Sequence, residues 1–251
     1  MAINLKSLSK PDGSRPIIAT LFGEGGMGKT TLAAMFPKPV FIRTEDGTAS
    51  LVGNDGVSLF PLATSSQDVL DAIEALATEK HEFKTLVIDS ITQLATLIES
   101  EIVASDPKAK SINQAGGGYG AGYSTAAEKH RQIREWAGSL AYERFMNVIF
   151  IGHADTETMD LPDMDAFARY TVRMHKKSIP HYTDNCDLVG LIRLKTFVRT
   201  GDGDKKRAIS TGEREIICFP QASSVTKNRF NITEPLPFTF DGNPFSKFLA
   251  E

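Results

Sequence analysis

Gly23-Glu24-Gly25-Gly26-Met27-Gly28-Lys29-Thr30 decides the fold. It fits G-x-x-x-x-G-K-[ST] and stands between the apolar, β-prone run Pro16 to Phe22 and the helix-forming Thr31 to Phe36. That strand-loop-helix setting separates a P-loop from a chance glycine-rich turn. Glycines there let backbone N–H groups curl around phosphates at a helix start, the lysine reaches the β- and γ-oxygens, and the threonine hydroxyl ligates Mg²⁺. Gly23, Glu24, Gly25, Gly26, Met27, Gly28, Lys29, Thr30 and Thr31 are therefore the candidate nucleotide-binding residues, with ATP and Mg²⁺ expected.

Outward from the loop the pattern alternates. Pro37 and Pro39 stop the first helix, Val40 to Ile42 predicts a second strand, and Val57 to Phe60 a third. A helix beginning near Ser66 sets Val69, Leu70, Ile73, Leu76 and Ala77 on one face. Lys84 to Asp89 predicts a buried strand and Ile91 to Val103 a helix. Thr125 with Glu128 reads as the capping box of a helix reaching about Tyr142, and Asn147 to Gly152 as another strand. Strands separated by such helices are parallel and joined by right-handed crossovers, so the fold class is α/β, its sheet covered on both faces. After Asp184 strand follows strand: Leu188 to Val198, a Gly-Asp-Gly-Asp turn at 201 to 204, Arg207 to Phe219, then the alternating stretch Ser224 to Phe230. These are expected to extend the sheet as antiparallel hairpins. Ser105 to Tyr123 and Ala154 to Tyr182 show no clear periodicity and read as long loops, which in a compact domain are usually functional or disordered.

With 251 residues, 41% hydrophobic and 24% charged, the chain is expected to form one domain, residues 1–251, with short terminal extensions. A net charge of -3 gives polyanions no global attraction, so contact with nucleic acid requires a local basic patch. Cys186 and Cys218 lie in no metal-like spacing, no signal peptide is seen, and the longest apolar runs are too short to cross a bilayer. The expectation is a soluble protein of a reducing, cytoplasmic compartment, without a disulfide or a membrane partner.

A P-loop needs a carboxylate at a strand end to hold the metal's water shell, and Leu86-Val87-Ile88-Asp89-Ser90 supplies Asp89 as the Walker B candidate. Alone, such an aspartate is often a helix N-cap. Ser90 stands where many P-loop ATPases carry a catalytic glutamate, so the base comes from elsewhere. Glu45, ending the strand Val40 to Thr44, is best placed, because the carboxyl ends of parallel strands line the nucleotide crevice.

An acid ending the second strand, no glutamate after Walker B, and a polar residue ending Val148-Ile149-Phe150-Ile151-Gly152-His153 together resemble RecA-like ATPases rather than kinases or AAA+ motors. The resemblance implies a RecA-like three-layer sandwich, with His153 sensing the γ-phosphate and signalling to a DNA-binding loop. A closer likeness is to phage-encoded Sak-type ATP-binding single-strand annealing or recombination proteins. It is carried by Gly118-Tyr119-Gly120-Ala121-Gly122-Tyr123, by Phe150 to His153, and by Tyr170-Thr171-Val172-Arg173-Met174-His175-Lys176-Lys177, and it spans about Ile17 to Arg229. It implies DNA-stimulated ATP hydrolysis in host cytoplasm, with single-stranded DNA, further copies of the chain in a ring or filament, and a single-strand-binding protein as partners.

The long loops carry the candidate nucleic-acid residues. Arg169, Arg173, Lys176 and Lys177 are interleaved with Tyr170, His175, His181 and Tyr182, a mixture in which cations neutralise phosphates and rings stack on bases. A solvated basic loop, or one touching a neighbouring subunit, reads equally well from the residues alone. Tyr119 and Tyr123 are a second stacking candidate. On the late strand, Lys227 and Arg229 project from one face. Their pattern resembles the basic pair with which RecA-like ATPases reach the γ-phosphate of a neighbour's ATP. A DNA motor or helicase accessory and a small-molecule phosphotransferase are the alternatives, the latter kept open by Arg131, Arg134, Arg169 and Arg173.

Overall fold

A computed structural model describes residues 15–200 and 206–249. The expected turn at 201–204 and the extreme N-terminal extension lie outside the described residues. The elements are β1 (Ile18–Gly23), α1 (Lys29–Ala34), β2 (Pro39–Arg43), β3 (Ser58–Leu62), α2 (Ser66–Thr78), β4 (Thr85–Asp89), α3 (Ile91–Ser105) and α4 (Ala121–Glu143). They continue with β5 (Asn147–Met159), β6 (Phe167–Val172), α5 (Ile179–Thr183), β7 (Leu188–Thr200), β8 (Lys206–Ile217), β9 (Lys227–Asn228) and β10 (Leu236–Phe238).

The strands form one sheet in the order β10-β8-β7-β1-β5-β4-β2-β3, with β6 added on β5 and β9 on β7. Every pair from β7 through β1, β5, β4 and β2 to β3 is parallel, while β7 with β8 and β8 with β10 are antiparallel. Alternation along the strands sorts the core into two layers. Ile18, Phe22, Ile42, Leu86, Ile88 and Phe150 face α2, α3 and α4. Ala19, Leu21, Phe41, Val87 and Ile149 face α1 and the C-terminal phenylalanines. A mostly parallel sheet flanked by helices on both sides is the α/β arrangement the alternating pattern called for, and it is consistent with the RecA-like fold the resemblance implied. Among the described residues no helix is long and apolar enough to cross a membrane.

Three local expectations are corrected. The helix assigned to start at Thr125 begins four residues earlier, after Gly120 in a left-handed conformation with φ 79°. The Thr125 hydroxyl donates to the Ala121 carbonyl, and Glu128 pairs with Arg131, so no capping box forms. Ala154 to Tyr182 is not a loop: β5 runs on to Met159 and turns back as β6, register Ala154 with Val172 to Met159 with Phe167. This hairpin projects past the core, so its faces are mostly hydrated and no apolar alternation marks it. Lastly, the strand read over Ser224 to Phe230 shrinks to Lys227–Asn228, bonded to Val189 and Leu188.

Candidate active site

β1 delivers Gly23 to the carboxyl edge of the sheet, and the chain re-enters helical geometry at Lys29. Two glycines explain why the loop fits. A Cβ on Gly23 would run into the carbonyl oxygen of Ile192 on β7. Gly28 has φ 88°, and a Cβ there would lie 2.5 Å from the ring of Phe240, a residue close to the end of the chain. Glu24, Gly25, Gly26 and Met27 form the turn between, and Thr31 lies half-buried in α1.

The Lys29 ammonium is folded over this turn, donating to the carbonyl oxygens of Gly23 at 3.0 Å and Glu24 at 2.8 Å. Burial pushes its pKa down, Asp89 and Glu45 act to raise it, and the nearby Arg173 lowers it further. Thr30 Oγ1 donates to Asp89 Oδ2 at 2.7 Å, so the hydroxyl of α1 and the carboxylate ending β4 meet at one point. Burial raises the pKa of Asp89, opposed first by the Thr30 hydrogen bond. This pair of hard oxygens suits Mg²⁺, which takes one or two protein oxygens and completes its octahedron with phosphate and water. No group of three or more His, Cys, Asp or Glu side chains is gathered elsewhere for a metal among the described residues.

Glu45 follows β2 by two residues, and β2 lies beside β4 with Arg43 opposite Asp89. His153 lies opposite Gly23 on the strand next to β1. Its Nε2–H donates to Glu45 Oε1 at 3.1 Å, and its amide donates to Thr92 Oγ1 at 2.9 Å. The His153 hydrogen bond is the main reason the Glu45 carboxyl titrates below the usual carboxylate range, with Ser90 and Lys29 assisting against burial. Lys29, Thr30, Asp89, Glu45 and His153, scattered in sequence, therefore meet at the ends of four neighbouring segments.

The basic pair lies elsewhere. Lys227 donates to the Asp184 carbonyl oxygen, and Arg229 Nη1 donates to Asp187 Oδ1 at 3.0 Å. Asp187 is buried at the start of β7, where its amide bonds the Ile18 carbonyl at 2.7 Å. That is the opposite end of β1 from Gly23, roughly 16 Å away along a strand.

The tyrosine element and the segment after β6 come together. The Tyr123 and His175 rings stack with centroids 3.7 Å apart and planes 10° from parallel. Lys177 Nζ donates to Ser124 Oγ at 2.7 Å and to the Gly120 carbonyl at 3.3 Å. Tyr119 is fully exposed with φ 52°, a left-handed conformation uncommon for a tyrosine, and Lys176 is exposed too. Other members of the sequence cluster fall away. Arg169 pairs with Glu157 across the hairpin at 2.6 Å. Tyr182 is a core residue, its hydroxyl bonded to His130 Nδ1 at 2.9 Å, and Tyr170 packs partly against the same core. His175 was read only as one of several rings interleaved with the cations; its stack on Tyr123 joins two segments that no short window contains.

A P-loop on a strand-to-helix turn, with a hydroxyl and a carboxylate meeting beside it, defines a nucleotide-binding protein of the P-loop ATPase class. Residues 15–230 match a family model described as an AAA domain, and the chain belongs to that family. Membership makes nucleotide hydrolysis the class of activity, without singling out the Sak-type branch. No curated protein matches the chain.

Proposed function

We propose that the protein is an ATP-dependent single-stranded DNA-binding recombination or annealing ATPase that works as an oligomer. The observation that carries this reading is the meeting of Tyr119, the Tyr123–His175 stack, Lys176 and Lys177 on one surface, joined through β5 and β6 to His153. An exposed ring, Tyr119, beside a half-buried stack and flanked by cations suits a flexible strand of bases and phosphates.

In the hydrolytic step a water oxygen attacks the γ-phosphorus, the bond to the β,γ-bridging oxygen breaks, and ADP leaves. Glu45, kept ionised by His153, accepts a hydrogen bond from that water and orients it in line. Lys29 holds the β- and γ-oxygens, trading its loop carbonyls for phosphate. Thr30 and Asp89 would hold Mg²⁺, whose charge would offset that of the β- and γ-phosphates. A γ-phosphate competes with Glu45 for the His153 N–H, which gives His153 two positions and the neighbouring hairpin a signal. Lys227 and Arg229 stand too far from their own P-loop to touch its phosphate, so any triphosphate they reach is that of another copy.

Fluorescence anisotropy of labelled oligo(dT), with and without a non-hydrolysable ATP analogue, tests the reading. Tighter binding with the analogue, lost in Tyr119→Ala/Tyr123→Ala, is expected. In the same preparation Arg229→Ala should keep nucleotide binding and lose DNA-stimulated phosphate release. DNA affinity indifferent to both nucleotide and tyrosines would end the DNA assignment.

A further inference from the structure

Arg173 was grouped by sequence with the DNA-facing cations, yet its surroundings are those of the phosphate site. It follows β6 directly and is held at the middle of β5 twice: its amide donates to the His153 carbonyl at 2.8 Å, and its guanidinium Nη2 donates to the Ala154 carbonyl at 3.0 Å. His153 is the strand partner of Gly23, the first residue of the P-loop, and its ring is bonded to Glu45. The guanidinium is exposed, and Ala154 supplies the one side-chain hydrogen bond it makes among the described residues, so most of its five N–H donors are free for a ligand. Its charge is felt at Lys29.

Two cations within electrostatic reach of each other repel unless an anion lies between them, and a fork of N–H groups matches phosphoryl oxygens better than a point charge does. Chain continuity adds a second feature. From Arg173 it is two residues to His175, stacked on Tyr123, and four to Lys177, bonded to the N-terminal turn of α4.

We propose that Arg173 contacts the γ-phosphate of the nucleotide in its own subunit, exchanging the Ala154 carbonyl for phosphate oxygen and shifting the His175–Lys177 segment as it does so. ATP and ADP then leave the tyrosine surface in different positions. This assignment rests on the P-loop reading and deepens it: the group that reads the third phosphate sits on the same short segment as His175, the ring that stacks on Tyr123.

The test compares fluorescent analogues of ADP and non-hydrolysable ATP on wild type, Arg173→Ala and Arg173→Lys, with oligo(dT) anisotropy in parallel. Loss of a charge-assisted hydrogen bond should weaken triphosphate binding about 10- to 100-fold in Arg173→Ala. ADP affinity should stay within about twofold, because the diphosphate lacks the contacted group. Arg173→Lys should recover part of the triphosphate preference, and Arg173→Ala should keep nucleotide-free DNA affinity while losing its response to the ATP analogue. Equal weakening of both nucleotides, or an unaltered triphosphate preference, overturns the role of Arg173 while leaving the P-loop reading intact. A wild-type protein that binds neither nucleotide overturns that reading and this assignment with it.

Discussion

The phosphate cradle and the tyrosine surface are built in opposite ways. The cradle is one contiguous loop clamped by the ends of buried strands: Lys29 and Asp89 are buried, and each polar group has a partner inside the site. The tyrosine surface is two segments far apart in sequence, tied by one half-buried ring stack and one exposed lysine. Contacts of the second kind contribute little stability each and break easily. A pre-formed site suits chemistry, where the reacting groups must already be aligned, and a loosely tied one suits a surface that has to change with the nucleotide.

Separating the two halves by mutation sharpens that contrast. The largest effect is expected from Glu45→Gln, which keeps the shape of the side chain and removes the carboxylate proposed to orient the water: phosphate release should fall about 100- to 10,000-fold. Nucleotide binding and nucleotide-free DNA affinity should persist, and a DNA affinity that falls in step with turnover would mean the two regions are one unit.

Next comes the core that both regions share. His130 is buried, and burial holds its pKa down to about 3. In the unfolded chain it returns to about 6.5. Between those values the unfolded state binds the extra proton, so stability is full above the unfolded pKa and declines as pH falls, by about 1.4 kcal/mol per pH unit from this one group. Thermal melts from pH 7 to pH 4.5 should show a shallower decline for His130→Gln than for wild type, although the variant starts lower at pH 7 through loss of its packing and its bond with Tyr182.

The smallest effect on the fold belongs to Lys176→Ala/Lys177→Ala. Unfolding free energy should move by less than about 0.5 kcal/mol for so exposed a pair. The slope of log affinity for oligo(dT) against log salt should nevertheless lose about 1.4, that is about 0.7 for each phosphate contact removed. An unchanged slope would place the strand elsewhere on the molecule.

What the sequence disclosed followed physical locality. Gly23 to Thr30 could be read because the loop's chemistry is written in consecutive residues, and Asp89 because the apolar run Leu86-Val87-Ile88 ends on it. Glu45 and His153 could be named as strand-end residues, but their mutual hydrogen bond depends on how β2, β4, β5 and β1 are ordered in the sheet, which no short window contains. The β5–β6 hairpin was missed because its outer half is hydrated on both faces and period-two patterning needs one dry face. The short β9 was overestimated for the converse reason: Ser224 to Phe230 alternates, yet side-chain and backbone bonds within the turn, such as Thr226 to Phe219 and Asn228 to Ile232, take most of it out of the ladder. Tyr182 shows the same limit, since composition grouped it with surface cations while the fold made it a fully buried neighbour of Phe150.

The ring of Phe240, set where a Cβ on Gly28 would be, has an evolutionary consequence. The ring packs into the space that the last glycine of the loop leaves open, so what fits at position 240 depends on the bare Cα at position 28. A smaller side chain at 240 would relax the steric demand at 28 while the positive φ still held the glycine in place. Among related chains, position 240 should therefore be free to change in size while position 28 stays glycine, a one-sided dependence that leaves no covariation between the two.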